Sequence, residues 1–530
     1  VSTTSKRRVA GVTVPLFSLR TVRSWGIGEI GDLPDFARWL RGAGVRLVQL
    51  LPLGEIAGGE TSPYSALTAF GIDPMYLSMG ALEDLPAEEL PALIGDDGVR
   101  TVAWLREQPR VAYEPVRWVK NKAFAAGFAR FRGAVVGRGS ARELDFLAFR
   151  REHAAWLDDY ALFRALKDAL EQHAWWEWPP GVRERHPEAM RGAREELADG
   201  VLKHAWLQWL AHRQWERARA ELRAMDVEVM GDLPFMVGGD SADVWANRHD
   251  FRGDASVGVP GDQFDPEGQE WGLPPYDWKV MRGDGFAWLR RRAGYAGVLY
   301  DRFRIDHLVG FYRTYMRPTD RIRGPDGKLL PGFFDPAESE AQLAHGEAVI
   351  GAMIAAAKET GAALVAEDLG DVPDYVRPSL THMGVPGYKV LIWEQRDGHF
   401  HDPTAYPALS VACLGTHDTA SVAWWWEQLP DWERAAVCRL PAMAARGGDA
   451  LGAQYTPAVQ EALTALVLGA GSELVLLMAQ DVLGLHDRIN TPGTVGPQNW
   501  TWRLPRAFAE TAGAGAGIAS LRALVDASGR

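Results

Sequence analysis

The sequence predicts a single α/β domain, a (β/α)8 barrel with large helical and loop insertions after strands two and three, and three observations carry that prediction. Eight short, apolar, β-branched runs recur along the chain, and patterns of helical period alternate with them. Three of the runs end in a polar cluster holding one acid: Asp306 in YDRFRIDH (300–307), Glu367 in ALVAEDLG (363–370) and Asp418 in VACLGTHD (411–418). Consecutive acids lie roughly fifty to sixty residues apart, the length of one strand, one helix and some decoration, and a barrel delivers such positions to its C-terminal face. No linker, low-complexity tract or internal repeat divides the 530 residues, so 1–530 reads as one barrel domain.

Taken in order, residues 8–16 (RVAGVTVPL) are the first strand, and periodic apolar residues over 33–43 make an amphipathic helix that stops on Gly44. Residues 46–51 (RLVQLL) are the second strand, followed by a Gly/Pro/Ser-rich loop. A mainly helical insertion spans 58–225. Within it WLDDYALFRALKDAL (156–170) sets Trp156, Tyr160, Phe163, Leu166 and Leu170 on one face. Strand character resumes at 227–237 (VEVMGDLPFMV), and a loop-rich insertion then spans 238–299, with a Gly/Pro-rich loop at 257–274. The Asp306 and Glu367 runs are strands four and five, 388–393 is the sixth, the Asp418 run the seventh, and 473–478 (ELVLLM) the eighth. The Ala-rich tail, 512–527, reads as a final helix behind a glycine-loosened turn.

Composition narrows the function classes. With 47% hydrophobic and 24% charged residues, the chain has an ordinary globular profile. A formal net charge of −12 argues against nucleic acid or an anionic membrane as partner. The N-terminus lacks the apolar core of a signal peptide, and no window is apolar enough to span a bilayer. Two cysteines, Cys413 and Cys438, offer neither a disulfide framework nor a metal spacing, which suits a reducing cytoplasm. Tryptophan is abundant, at 22 residues, and clustered at 175–178 and 424–426; such broad faces bury well and also stack on sugar rings.

Gly26-Ile27-Gly28-Glu29-Ile30-Gly31 matches a dinucleotide fingerprint, but SLRTVRSW separates it from its strand, and Glu55, beyond a Pro-Leu-Gly turn, does not end the second strand as the ribose acid would. It reads instead as a tight loop at the barrel mouth. Period-two alternation puts Arg302, Arg304 and Asp306 on one face of their strand. Arg304, solvated at the cleft, can therefore hold the Asp306 carboxylate ionised, as a nucleophile requires. Glu367 follows an apolar run, so partial burial should raise its pKa toward that of a general acid, with Asp368 either adding to the shift or turned away. His417–Asp418 has no companion His or Cys to make a metal site and fits hydrogen bonds to hydroxyls better. Two or three convergent carboxylates without a metal are the equipment of glycosidic-bond chemistry.

RIDH, AEDLG and GTHD, together with SPYSALTAFGIDP (62–74), WLDDYALFRALKDAL, GDLPFMVGGDSADVW (231–245) and NTPGTVGPQNWTWRLP (490–505), resemble the 4-α-glucanotransferases of glycoside hydrolase family 77, also called amylomaltases or disproportionating enzymes. The matches keep the family's order over almost the whole chain. The resemblance implies that Asp306 is the nucleophile, Glu367 the acid/base, and Asp418 the third acid, which grips the distorted sugar. It also implies substrate contacts from Tyr64, Asp73, Asp232, Asp262, Phe264, Gln269, Trp271, Arg304, His417 and Asn499, with 258–272 as a flexible loop over the site. The chain departs from the family pattern at Gly261 and Gln263 (usually Pro and Tyr), at Leu273 (commonly Asn) and at Thr419 (often Asn).

What the resemblance implies is a retaining transfer of α-1,4-glucan segments to the 4-hydroxyl of glucose or another glucan, by a cytoplasmic monomer or homodimer without cofactor or metal. An α-glucan hydrolase with the same triad is the nearest rival. A catalytically silent glucan-binding protein has no need for a buried acid, and a nucleotide-dependent oxidoreductase is set aside with the glycine motif.

Overall fold

The computed structural model describes residues 8–261, 266–506 and 518–530. Eight parallel strands close into a barrel in sequence order: β1 (Val9–Thr13), β2 (Leu47–Gln49), β3 (Glu228–Leu233), β4 (Arg302–Ile305), β5 (Ala363–Ala366), β6 (Gly387–Val390), β7 (Ser410–Cys413) and β8 (Leu474–Met478), with β8 pairing back onto β1. All eight expected strands are present, most of them shorter at their ends than the apolar runs suggest. Pro234 has no N–H for a ladder and follows the end of β3, while the chain after β6 tightens into a 3-10 turn at Leu391–Trp393. Alternate residues of the strands fill the barrel: Val9, Leu47, Met230, Val365, Tyr388, Val411, Cys413 and Leu476 belong to one apolar cluster. Thr13, Gln49 and Tyr388 thread a polar chain through it, with Thr13 donating to Gln49 Oε1 (2.7 Å) and Gln49 to the Tyr388 hydroxyl (3.3 Å).

Between β2 and β3 run the helices Leu90–Glu107, Tyr113–Ala134, Ala141–Glu152, Ala154–Ala169 and Ala198–Ala224. They pack through an aromatic cluster in which Phe131, Phe146, Trp206 and Trp209 touch one another. Their role toward the barrel mouth is to pin the loop after β2. Gln208 exchanges two hydrogen bonds with the main chain of Ile72, at 3.0 and 2.9 Å. Glu55 accepts from Tyr160 and, at 3.1 Å, from Arg164. The glycine motif at 26–31 is a tight loop as expected; Ile27 and Ile30 are buried, and Glu29 is paired at 2.8 Å with Lys120 of the insertion.

One expectation needs correction. The segment 257–274 is not simply a loop. Its flanks are strands, Ala255–Val259 and Gln269–Glu270, and they join Thr314–Pro318 and Phe333–Asp335 in a four-stranded antiparallel sheet. The sheet therefore draws on chain that follows β4 as well as chain that follows β3. Arg317 ties it together by donating to the carbonyls of Gln269 (2.6 Å), Leu330 (2.8 Å) and Glu267 (3.1 Å). Strands this short carry no clear alternation, and the strands Thr314–Pro318 and Phe333–Asp335 lie far away in sequence. The C-terminal helix is Ile518–Ala527, and the earlier part of the expected tail helix lies outside the described residues. None of the described helices is long and apolar enough to cross a membrane.

Candidate active site

The site grows from the register of β3, β4 and β5. Asp232 on β3 stands directly beside Arg304 on β4, and Arg304 beside Val365 on β5. Gly231 precedes Asp232 because a methyl group there would lie 2.2 Å from the Tyr300 ring, which fills the space behind β3. Arg304 is only 5% exposed and donates to two carboxylates, Asp232 through Nη1 and Asp306 through Nη2 at 2.7 Å. The i,i+2 pairing expected from strand alternation is thus present. The expectation of a solvated Arg304 is not met, because the closed barrel and the loop after β2 cover it.

Glu367 follows β5 directly, as Asp306 follows β4. Its Oε2 accepts the backbone N–H of His307 at 2.7 Å, which places it against the residue next to Asp306. Burial dominates its protonation: loss of hydration pushes the carboxyl up to about 8, aided by the negative charge of Asp306 and opposed by Arg304 and the His307 N–H. Asp368 adds least, because it is turned away, accepting from the Tyr388 N–H at 2.6 Å and from Arg377 at 3.0 Å. Gly387 makes room for it, since a methyl group there would sit 2.6 Å from the Asp368 carboxylate. His307 is pushed down to about 4 by burial and so is neutral near pH 7.

Asp418 does not sit at a strand tip. β7 ends at Cys413, and a turn built by Thr416 and Thr419 carries the chain on; Thr419 Oγ1 accepts from the Thr416 N–H at 3.1 Å and donates to the Thr416 carbonyl at 2.9 Å. Tyr64 bridges the two halves of the site. Its hydroxyl donates to Asp232 Oδ2 at 2.7 Å, accepts from Arg304 at 3.2 Å, and lies 3.0 Å from His417 Nε2. A hydroxyl has one proton, and Asp232 takes it, so His417 Nε2 must be the donor in the third contact. The same nitrogen lies 3.3 Å from Asp418 Oδ2. Asp306, Arg304, Asp232, Tyr64, His417 and Asp418 therefore form one continuous polar chain.

Of the other expected substrate residues, Trp271 flanks the site with its ring edge-on to His307, centroids 5.1 Å apart. Gln269 lies beside it and accepts from the Trp271 indole at 3.1 Å. Asp73 and Asn499 are turned inward. Asp73 is 2% exposed and caps its own loop, accepting from the N–H groups of Met75 (2.9 Å) and Ile56 (3.2 Å). Asn499 folds the 491–499 loop through Thr491 and Thr494. Asp262 and Phe264 lie outside the described residues. Sequence reasoning passed over three neighbours of the site. Asn490 donates to Asp418 at 2.6 Å, Trp500 packs on both Tyr64 and His417 with centroids 5.5 and 5.8 Å apart, and the His307 backbone serves Glu367. Asn490 and Trp500 both lie inside the quoted motif 490–505, the one signal that could have found them.

A closed (β/α)8 barrel that gathers one half-buried carboxyl, raised to about 8, and two further carboxyl groups at its C-terminal mouth defines an enzyme of glycosidic-bond chemistry. Within that class the chain belongs to the 4-alpha-glucanotransferase family, whose model matches residues 14–509. It is 33% identical over 521 residues to a 4-alpha-glucanotransferase of Thermus thermophilus, covering 96% of each chain. It is 30% identical over 517 residues to that of Chlamydia caviae, covering 94% of this chain and 91% of the other. The fold matches an amylomaltase of Streptococcus agalactiae in complex with acarbose, with a TM-score of 0.82 at 24% identity over 99% of this chain and 100% of that one. An amylomaltase of Corynebacterium glutamicum matches with a TM-score of 0.80 at 22% identity, over 98% and 75%. Family and relatives together make this chain a 4-α-glucanotransferase.

Proposed function

We propose that this enzyme moves α-1,4-glucan segments by a retaining double displacement, with Asp306 as nucleophile, Glu367 as acid/base and Asp418 binding the hydroxyls of the reacting sugar. The observation that carries the reading is the contrast between two neighbouring carboxyls: Asp306 is ion-paired to Arg304, while the half-buried Glu367 is raised to about 8 by loss of hydration. Asp306 attacks the anomeric carbon as Glu367 gives its proton to the departing glycosidic oxygen, and the reducing-end fragment leaves. Ester formation removes the negative charge of Asp306, one of the causes that raise Glu367. The Glu367 carboxylate is then the better-matched base, and it takes the proton of an incoming 4-hydroxyl as that oxygen displaces Asp306. Glucose or a second α-1,4-glucan is the acceptor. The same reading places the enzyme in cytoplasmic α-glucan metabolism as a monomer or homodimer, in keeping with two free, buried cysteines. Incubation with maltotriose tests it: transfer yields glucose together with maltopentaose and longer chains, whereas products no longer than the donor mean hydrolysis and overturn the reading.

Water far outnumbers any sugar acceptor, so the covalent intermediate must be shielded while a glucan hydroxyl is admitted. We assign this role to Trp271, whose ring stands edge-on to His307. Trp271→Ala is expected to lower total turnover and raise hydrolysis relative to transfer by about threefold to tenfold, since a lost aromatic face weakens acceptor binding by about 1 kcal/mol. New reducing ends counted against redistributed chain lengths give the ratio. An unchanged ratio assigns acceptor control to other residues.

A further inference from the structure

The chain beyond β8 folds back over the segment that holds Asp418, and its contacts there are specific. The Asn490 side-chain amide donates to Asp418 Oδ1 at 2.6 Å, the Asn490 N–H donates to the His417 carbonyl at 3.2 Å, and the Asn490 carbonyl accepts from Arg488 Nε. Both main-chain groups of Asn490 are thus anchored, and the residue is 8% exposed, so the direction of its amide is set by the backbone. Asn499 and Trp500 stiffen the same loop, Asn499 by bridging Thr491 to Thr494 and Trp500 by donating its N–H to the Ile489 carbonyl at 2.8 Å. The inward turn of Asn499 therefore has a purpose at the site, as part of the mount for Asn490.

Resting on the retaining reading above, we infer that Asn490 is a positioning residue that fixes the Asp418 carboxylate at the barrel mouth by a neutral hydrogen bond. The choice of an amide over a cation is informative. Arg488 is two residues away, yet its guanidinium donates to the backbone carbonyls of Asp418 and Asn490. Asp306 has Arg304; among the described residues Asp418 has Asn490 on Oδ1 and the His417 imidazole on Oδ2. The amide and the imidazole each take one lone pair, and the carboxylate, whose side chain is 37% exposed, keeps its others to accept sugar hydroxyls. A bidentate guanidinium would occupy both oxygens. A carboxylate without the amide could rotate about its χ angles, and a group that must meet a distorted sugar loses about a hundredfold in rate when misplaced by about 1 Å.

The test compares wild type, Asn490→Ala and Asn490→Asp on maltotriose, with kcat and KM measured between pH 5 and 9. Asn490→Ala is expected to lower kcat about tenfold to a hundredfold while KM stays within about threefold. Asn490→Asp sets a second carboxylate against Asp418, and the pair must share a proton. The acid limb of kcat/KM is then expected to move up by at least about one pH unit, with the alkaline limb set by Glu367 unchanged. A merely structural role moves neither limb. A kcat within twofold of wild type in Asn490→Ala, or an unmoved acid limb in Asn490→Asp, overturns the inference. Failure of wild type itself to redistribute maltotriose strikes the retaining reading instead. In that case a crystal structure of Asn490→Asp or Asn490→Ala, whichever folds, still decides: Asp418 in its wild-type rotamer overturns the positioning role, and a displaced or split side chain supports it.

Discussion

Asp306→Asn is expected to lower turnover of maltotriose by more than about a thousandfold and to leave the protein folded. The amide is too weak a nucleophile to form the glycosyl ester, and Asp232, the other carboxylate on Arg304, lies on the neighbouring strand with its oxygen engaged by Arg304 and Tyr64. The fold survives for a reason the sequence did not show. Arg304 is buried, and stripping a buried ion of its partner costs about 3–5 kcal/mol. Asparagine keeps an oxygen where Asp306 Oδ1 accepts from Arg304, and Asp232 still carries the balancing charge on the other side. A melting temperature within a few degrees of wild type, with turnover gone, is the signature. Residual activity above about a thousandth of wild type would sink the nucleophile assignment.

Glu367→Gln is expected to be as severe on maltotriose, by about a thousandfold, because the leaving sugar then departs without a proton. The loss should vanish in the first step when the donor carries its own leaving group. With α-glucosyl fluoride, Asp306 is expected to be glucosylated and to accumulate, since deglycosylation lacks its base; intact-protein mass then rises by one glucosyl group. No change in mass after exposure leaves the acid role unsupported. The pH profile gives a second reading from the same residue. The step needs Glu367 protonated, and burial holds its carboxyl up to about 8, so wild-type kcat/KM is expected to persist through neutral pH and fall as pH rises through about 8. Glu367→Gln should lose that limb on the fluoride donor, because the amide has no proton to give up there.

Much of this site was legible in one dimension, and each legible part has a local cause. The eight strands announce themselves as apolar runs because a strand buried on both faces must be apolar throughout. The Arg304–Asp306 pair follows from the two-residue period of a strand, and the Glu367 carboxyl loses hydration because it directly follows a run of buried strand residues. What a residue contributes through its immediate neighbours could be read directly. The partners of Arg304 could not: Asp232 lies on another strand, and only the register of the closed barrel puts the two side by side. The same holds for Asn490, whose hydrogen bond to Asp418 joins the last loop to the seventh strand's turn, and for the arm carrying Trp271, which is held in a sheet by chain from beyond β4. Asp73 and Asn499 show a competing use of the same residue types. Their residue type suits a sugar hydroxyl, but a carboxylate or amide is equally able to satisfy main-chain N–H groups, and the loops here needed them more. Sequence alone determined which residues have the chemistry and which face of a strand they share, because those are properties of short range. Only the tertiary structure decided which of them meet, because a hydrogen-bond partner is chosen by barrel closure and strand register, and neither is written in any one segment.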